Sequence, residues 1–303
     1  MAVLGPTASG KSALAELIAE RLSAEILSVD SMQVFIGMDI GTAKPDPATR
    51  RRFGYRMIDV AEPSEEYTVA DFQAAGTTVL DEIAAEGRDV VIAGGSGLHF
   101  RSLVDPLVFP PTDAAIRAEL EAISAAALRA ELVGADPQAG GVVDLANPRR
   151  VLRAVEILRL TEATPSERAA SDEAEAIRSY RPTRPFSAIG VDPGPMIGGR
   201  IERRFDEMLS AGLVEEVARL APRLGRTARQ AVGYRELLSV AEGDGDLESA
   251  RAETIRATAS LAKRQRTYFR RDPRIQWIPW HHEAGEMLGG ALESLAKDAK
   301  WTS

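Results

Sequence analysis

Residues Gly5, Pro6, Thr7, Ala8, Ser9, Gly10, Lys11 and Ser12 satisfy the pattern G-x-x-x-x-G-K-[ST] at every fixed position. Such a loop turns successive backbone N–H groups onto phosphate oxygens, and the helix behind it adds its positive end. Lys11 supplies a point charge for the terminal phosphate, and Ser12 offers a hydroxyl to Mg²⁺. The loop implies a bound polyphosphate without saying which. A kinase, a GTPase and a diphosphate-consuming transferase would all carry it. The stretch "DVVIAGG" runs into glycines where a Walker B strand carries an aspartate for magnesium, which disfavours an ATPase.

A second reactive group is Asp30, at the end of the apolar run "AEILSVD". On a strand parallel to the first, it emerges at the sheet edge that carries the phosphate loop. A carboxylate there can take a proton from an incoming nucleophile, hold a hydrated Mg²⁺ or cap a helix. Position alone leaves the three open.

These groups need a sheet to hold them. "MAVL" reads as the first strand, "AEILSVD" as the second and "DVVIAGG" as the third, with "FSAIGVD" and "IQWIPW" completing the set. Helical patterns such as "SALAELIAERL" lie between them, so the fold class is α/β, a P-loop NTPase-like parallel sheet covered on both faces. "YTVADFQAAGTTVLDEIAAEG" reads as one helix opened by Thr68 and Asp71 as a capping box. Between Thr112 and Arg184 helical runs follow one another with no intervening strand. The expected organisation is a core of residues 1–111 and 185–303 with C-terminal helices, and a helical insertion domain at 112–184.

Hydrophobic residues make up 45% of the 303 and charged residues 27%, as in an ordinary globular chain. The chain has no cysteine, which excludes disulfides and cysteine-ligated zinc and sets the expectation of a cytoplasmic protein. No apolar run approaches the ~18–20 residues that span a bilayer, so no membrane partner is expected. A secretory signal is not expected either, because the glycine loop opens at Gly5 with no basic segment before it. A first strand starting at Met1 leaves room for a lead segment upstream.

The net charge of −8 argues weakly against nucleic acid, because binding follows the local field. Cations cluster locally: Lys263, Arg264, Arg266, Arg270, Arg271 and Arg274 in one stretch, Arg149, Arg150 and Arg153 in a second, and Arg223, Arg226, Arg229 and Arg235 in a third. Tyr234, Tyr268 and Phe269 are interleaved as stacking surfaces for bases. Each cluster alone reads equally as a solvated helix face, and aromatics at helical spacing as core. His99, His281 and His282 show no metal-ligand spacing and read as structural or surface residues.

The segments "GPTASGKS", "SVDSMQVFIGMDIGTAKP", "DVAEPSEEYTVADF", "GGSGLHF", "RIERRFDEML", "AVGYRE" and "LAKRQRTYFRR" together resemble the bacterial tRNA dimethylallyltransferases, in the same order and over nearly the whole chain. "DSMQVFIGMDIGTAKP" is far more specific than the phosphate loop. The resemblance implies transfer of a dimethylallyl group from dimethylallyl diphosphate to N6 of adenosine 37 in the anticodon loop of tRNA. It implies that Lys11 and Ser12 hold the diphosphate and its magnesium, with Asp30 orienting or deprotonating N6 and available as a second metal ligand. Ser31, Met32 and Gln33 would line the approach of the RNA, Ser96 would bond the leaving oxygen, and Arg204 would neutralise leaving-group charge, with Arg200 as its nearest competitor. Arg117, Arg149, Arg150, Arg153, Gln230, Gly233, Tyr234, Arg235, Lys263, Arg264, Gln265 and Arg266 would contact tRNA, whose anticodon stem-loop the insertion would grip.

The chain departs from the family pattern at Phe35, His99 and Tyr268, where Tyr, Tyr and Trp are usual, and at Ser96, where Thr is usual. A monomer is expected. Two other readings stand beside this one. One is a prenyltransferase acting on free adenine nucleotide, which needs neither the insertion nor the basic clusters. The other is a non-catalytic P-loop protein that senses nucleotide and binds RNA, which needs neither Asp30 nor Ser96.

Overall fold

The computed structural model describes residues 1–297; positions 298–303, the end of the expected core, lie outside the described residues. Five strands form one parallel sheet in the order β2-β3-β1-β4-β5: β1 (Ala2–Leu4), β2 (Glu25–Val29), β3 (Val90–Gly94), β4 (Ala188–Gly190) and β5 (Ile275–Trp277). The central strand β1 is wholly buried, as its unbroken apolar sequence requires of a strand covered on both faces.

Strand periodicity decides which residue meets which layer. Ala2 and Leu4, with Leu27, Val29 and Ile92, enter one core, which Phe72, Phe100, Leu213, Val217 and Leu237 complete. Those residues come from α3 (Val69–Ala85), α4 (Gly97–Val104), α11 (Leu213–Leu220) and α12 (Tyr234–Ala241). Val3, Ile26, Val91 and Ile189 face the opposite way, against Leu14 and Ile18 of α1 (Lys11–Leu22) and Met287 and Ala291 of α14 (Ala284–Lys297). This is a three-layer α/β sandwich. Thr68 and Asp71 form the full reciprocal capping box at the start of α3.

Two helices complete the same unit on the side of the site: α10 (Ile197–Ser210) and α13 (Leu247–Phe269). The helical pattern that runs from α10 into α11 is interrupted at Gly212, whose φ of 96° a side chain would resist. A short helix not anticipated from the sequence, α2 (Pro47–Arg52), follows β2; Asp46 caps it through the Ala48 and Thr49 amides, with Pro47 in its first turn.

The chain divides into two compact units, Met1–Val104 with the stretch from Pro185 onward, and Asp105–Arg184. The second unit holds α5 (Ala114–Glu121), α6 (Ala125–Ala135), α7 (Pro148–Thr161), α8 (Pro165–Ala169) and α9 (Asp172–Arg178). Leu120, Leu128, Leu132, Val151 and Val155 make its core. Ser124 accepts from the Ala127 amide and so starts α6 as a helix separate from α5.

Candidate active site

Strand order reverses beside β1, where open parallel sheets bind ligands at the carboxyl ends of their strands. The loop after β1 enters α1 through Gly10, whose φ of 87° places it in the left-handed region. Thr7 to Ser12 line a cleft of about 920 Å³, together with Asp30, Gln33, Gly94, Arg200, Arg203, Arg204 and His282. Gly5 and Pro6 stand behind it, and the Pro6 carbonyl accepts from Lys11 Nζ at 3.2 Å.

A smaller cavity of about 110 Å³ opens from the same place. Its walls are largely apolar: Ile201, Phe205, Met208, Leu213, Val232 and Leu261. Lys11, Asp30 and Arg204 line both cavities and mark their junction.

The charges at that junction are unbalanced. Arg204 is half-buried and, among the described residues, makes no hydrogen bond or ion pair with the protein. Burial lowers its pKa, with Asp30 opposing that shift and Arg200 adding to it. Burial, and then the Arg204 charge, lower Lys11 to about 8, while Asp30 again opposes. Two cations thus face one carboxylate in a partly dry cleft, an arrangement that an incoming anion relieves.

Asp30 Oδ1 accepts from the Met32 and Gln33 amides at 2.9 and 3.3 Å. Among the described residues Oδ2 carries no hydrogen bond to the protein, so the carboxylate braces its own turn and still has an oxygen for a ligand. The Ser12 hydroxyl is exposed in the cleft, and no group of three or more acidic or histidine side chains suited to a metal occurs among the described residues. Two oxygen donors without a cage fit Mg²⁺ held mainly by phosphate and water.

Three side chains remote in sequence grip the phosphate loop from outside. Gln265 Oε1 accepts from the Thr7 amide at 2.8 Å, Arg200 Nε donates to the Ala8 carbonyl at 2.7 Å, and Trp280 Nε1 donates to the Ser9 carbonyl at 2.9 Å. Arg200 also lies over the Trp280 ring at 5.2 Å. The sequence reading placed Gln265 on RNA and missed Trp280, for which "IQWIPW" gave only a strand signal. Arg200 is a brace for the loop, which separates it from Arg204.

The other expected site residues divide. Met32 lines the apolar cavity and Gln33 the cleft, while Ser31 is in neither. Ser96 also lines neither; its Oγ lies 2.7 Å from His99 Nδ1, and its amide donates to Val29 at 3.0 Å. Burial lowers the His99 pKa, with Asp30 opposing, which favours the neutral ring.

Tyr234 is a correction. It is fully buried, and its hydroxyl donates to Glu216 at 2.5 Å, so its ring cannot stack on a base. Phe269 is buried as well, whereas Tyr268 is exposed. Gly233 is buried beside the apolar cavity, Gln230 is exposed, and Arg235 pairs with Glu236. Arg266 is bound to Asp192, as is Arg270. Lys263 has no acidic partner among the described residues, and Arg264 meets only the Ser260 hydroxyl at 2.7 Å.

In the helical unit, Arg117 and Arg153 converge on the wholly buried Glu156 at 3.5 and 2.8 Å, and Arg153 also donates to the Pro110 and Pro111 carbonyls. A buried carboxylate needs such partners, so these two arginines are internal ties. Arg149 is unpaired among the described residues, and Arg150 has only a 3.8 Å approach to Asp144.

Residues 33–272 match the family model described as IPP transferase. The chain is similar to the tRNA dimethylallyltransferase of Streptomyces avermitilis, with 41% identity over 299 residues that cover 92% of this chain and 89% of the relative. It is likewise similar to the tRNA dimethylallyltransferase of Acidothermus cellulolyticus, 42% identical over 303 residues, with 97% and 91% covered. Among solved structures it resembles the full-length tRNA isopentenylpyrophosphate transferase of Bacillus halodurans, with a TM-score of 0.68 and 32% identity over 99% of this chain and 97% of the other.

Proposed function

This chain belongs to the IPP transferase family, and on that premise we propose that it transfers a dimethylallyl group from dimethylallyl diphosphate to N6 of adenosine 37 in the tRNA anticodon loop. The observation that carries the reading is the junction itself: a cationic cleft and a small apolar cavity share Lys11, Asp30 and Arg204. A diphosphate with a short apolar tail fits that division.

In this reading the loop amides, Lys11 and Arg204 take the diphosphate, and Ile201, Phe205, Met208 and Leu261 enclose the five-carbon tail. N6 bonds to C1 as the C1–O bond breaks, and the electron pair leaves with the diphosphate. Lys11 and Arg204 stabilise that charge where it develops. The N6 lone pair is delocalised into the ring, so Asp30 Oδ2 accepts the amine proton as the bond forms. Ser12 would hold Mg²⁺ together with the diphosphate, which leaves Asp30 Oδ2 to the amine, and the ion would supply further neutralisation of the leaving group.

We assign tRNA contacts to the cations without a strong acidic partner: Lys263 and Arg264 on α13, and Arg149 and Arg150 on α7. The same reading has a monomer working in the cytoplasm, where its tRNA substrate resides. No helix among the described residues is long and apolar enough to cross a membrane.

The test is to incubate the protein with labelled dimethylallyl diphosphate and Mg²⁺, supplying either tRNA or AMP. Label in tRNA supports the reading. Label in AMP alone supports an adenine-nucleotide prenyltransferase, and label in neither supports a non-catalytic nucleotide sensor.

A further inference from the structure

The turn from Asp39 to Lys44 lines both cavities: Asp39, Ile40, Thr42, Ala43 and Lys44 face the cleft, and Gly41 and Thr42 the apolar cavity. It is held from behind by one carboxylate. Glu216, on α11 and only 1% exposed, accepts from the Asp39 amide at 3.0 Å, the Ile40 amide at 2.8 Å and the Gly41 amide at 3.0 Å. The Tyr234 hydroxyl donates to the same carboxylate at 2.5 Å. Successive backbone N–H groups converging on one anion form a nest. Here the anion is the protein's own side chain. Gly41 is required for the approach, because a Cβ there would lie 2.4 Å from the Tyr234 ring.

The far side of the turn connects to the reaction centre. Gln33 Nε2 donates to the Thr42 and Ala43 carbonyls at 3.1 and 3.4 Å, and Gln33 Oε1 accepts from Ser28 Oγ at 2.8 Å. The Met32 and Gln33 amides in turn donate to Asp30 Oδ1. Hydrogen bonds joined by short covalent links of the turn and of Gln33 itself therefore lead from Glu216 to the carboxylate at the cavity junction.

We infer that Glu216 is a positioning residue for Asp30, acting through the nest at residues 39–41 and through Gln33. The inference rests on the reading above, in which Asp30 takes the N6 proton. It predicts a defect of a particular kind. Loosening the turn displaces the base while leaving the phosphate loop in place, because that loop is braced separately by Gln265, Arg200 and Trp280.

The experiment compares wild type, Glu216→Gln and Tyr234→Phe as full chains, by single-turnover transfer to tRNA and by hydrogen exchange at the 39–41 amides. In Glu216→Gln an NH₂ group faces the nest. Exchange at these amides should accelerate, and the rate at saturating substrates should fall about 10–100-fold, the scale of an approximately 1 Å misplacement. KM for dimethylallyl diphosphate should stay within about twofold, since the phosphate loop is untouched. Tyr234→Phe, which keeps the three amide bonds, should show the same pattern more weakly, and it serves as the test should Glu216→Gln not fold. Faster exchange with an unchanged single-turnover rate, or a loss that appears equally in diphosphate KM, overturns the inference. A wild type that labels no tRNA overturns the functional reading itself, while the exchange contrast between proteins still reports whether Glu216 holds the turn.

Discussion

The carboxamide of Gln265 accepts a hydrogen bond from the Thr7 amide at 2.8 Å, joining helix α13 to the phosphate loop across 258 residues of sequence. Gln265 sits one position from Arg264 and Arg266, yet its side chain braces the phosphate loop. Gln265→Ala should raise KM for dimethylallyl diphosphate by roughly fivefold, the scale of one net hydrogen bond of about 1 kcal/mol. tRNA affinity should change little. Steady-state kinetics with each substrate varied in turn checks this, and the reverse pattern would return Gln265 to the RNA contacts.

Lys11 gives the pH dependence its sign. Burial, and next the Arg204 charge, lower Lys11 to about 8, so the free enzyme loses this cation as pH rises through that value. Diphosphate affinity should be full below about pH 7 and decline above about pH 8, with proton uptake on binding near pH 8. Calorimetry in buffers of different ionisation enthalpy measures that uptake. Lys11→Ala should remove the dependence, lower transfer by roughly 10²–10³ and leave tRNA binding intact. ATP should be neither hydrolysed nor required; robust tRNA-stimulated hydrolysis by the wild type would contradict the assignment.

Neighbouring arginines on α13 should behave oppositely. Arg264→Ala should weaken tRNA binding and reduce the slope of log affinity against log salt by roughly 0.7–0.9 for the lost contact. Arg266→Ala should instead lower stability by roughly 3 kcal/mol, because it removes the main partner of the buried Asp192 carboxylate. Burial pushes the Asp192 pKa up, but Arg266, the Gly194 amide and Arg270 outweigh it, and the net shift is downward. A lowered carboxylate pKa contributes stability above the ordinary value of about 3.9 and loses it as pH falls. The Arg266 variant should therefore show a flatter acid limb in denaturation from pH 6 to about pH 3. Equal salt slopes for the two variants would reject the distinction.

The sheet and the phosphate loop were legible because their signals are local. Unbroken apolar runs such as Ala2–Leu4 and a glycine-bounded loop leave little choice of structure. The Thr68–Asp71 box was readable for the same reason. Partner choice was not legible, because a cation cluster looks alike whether it faces water, RNA or a buried acid. Arg117 and Arg153 serve Glu156, Arg266 serves Asp192, and Tyr234 serves Glu216, and each partner is fixed by three-dimensional packing. Helix α2 was not legible from periodicity, because its six residues bury no side chain, although Asp46-Pro47 is a readable start signal.

The central claim is that Asp30 accepts the N6 proton during transfer, and a single-turnover measurement of Asp30→Asn across magnesium concentrations tests it most directly. The amide keeps an Oδ1 acceptor for the Met32 and Gln33 amides, so the turn survives and only the proton acceptor is lost. The rate should fall by roughly 10²–10⁴ at every magnesium concentration, with tRNA affinity nearly unchanged. Partial rescue by excess magnesium would make Asp30 a metal ligand instead. A near-wild-type rate at ordinary magnesium would leave Asp30 as a brace for its own turn and contradict the claim.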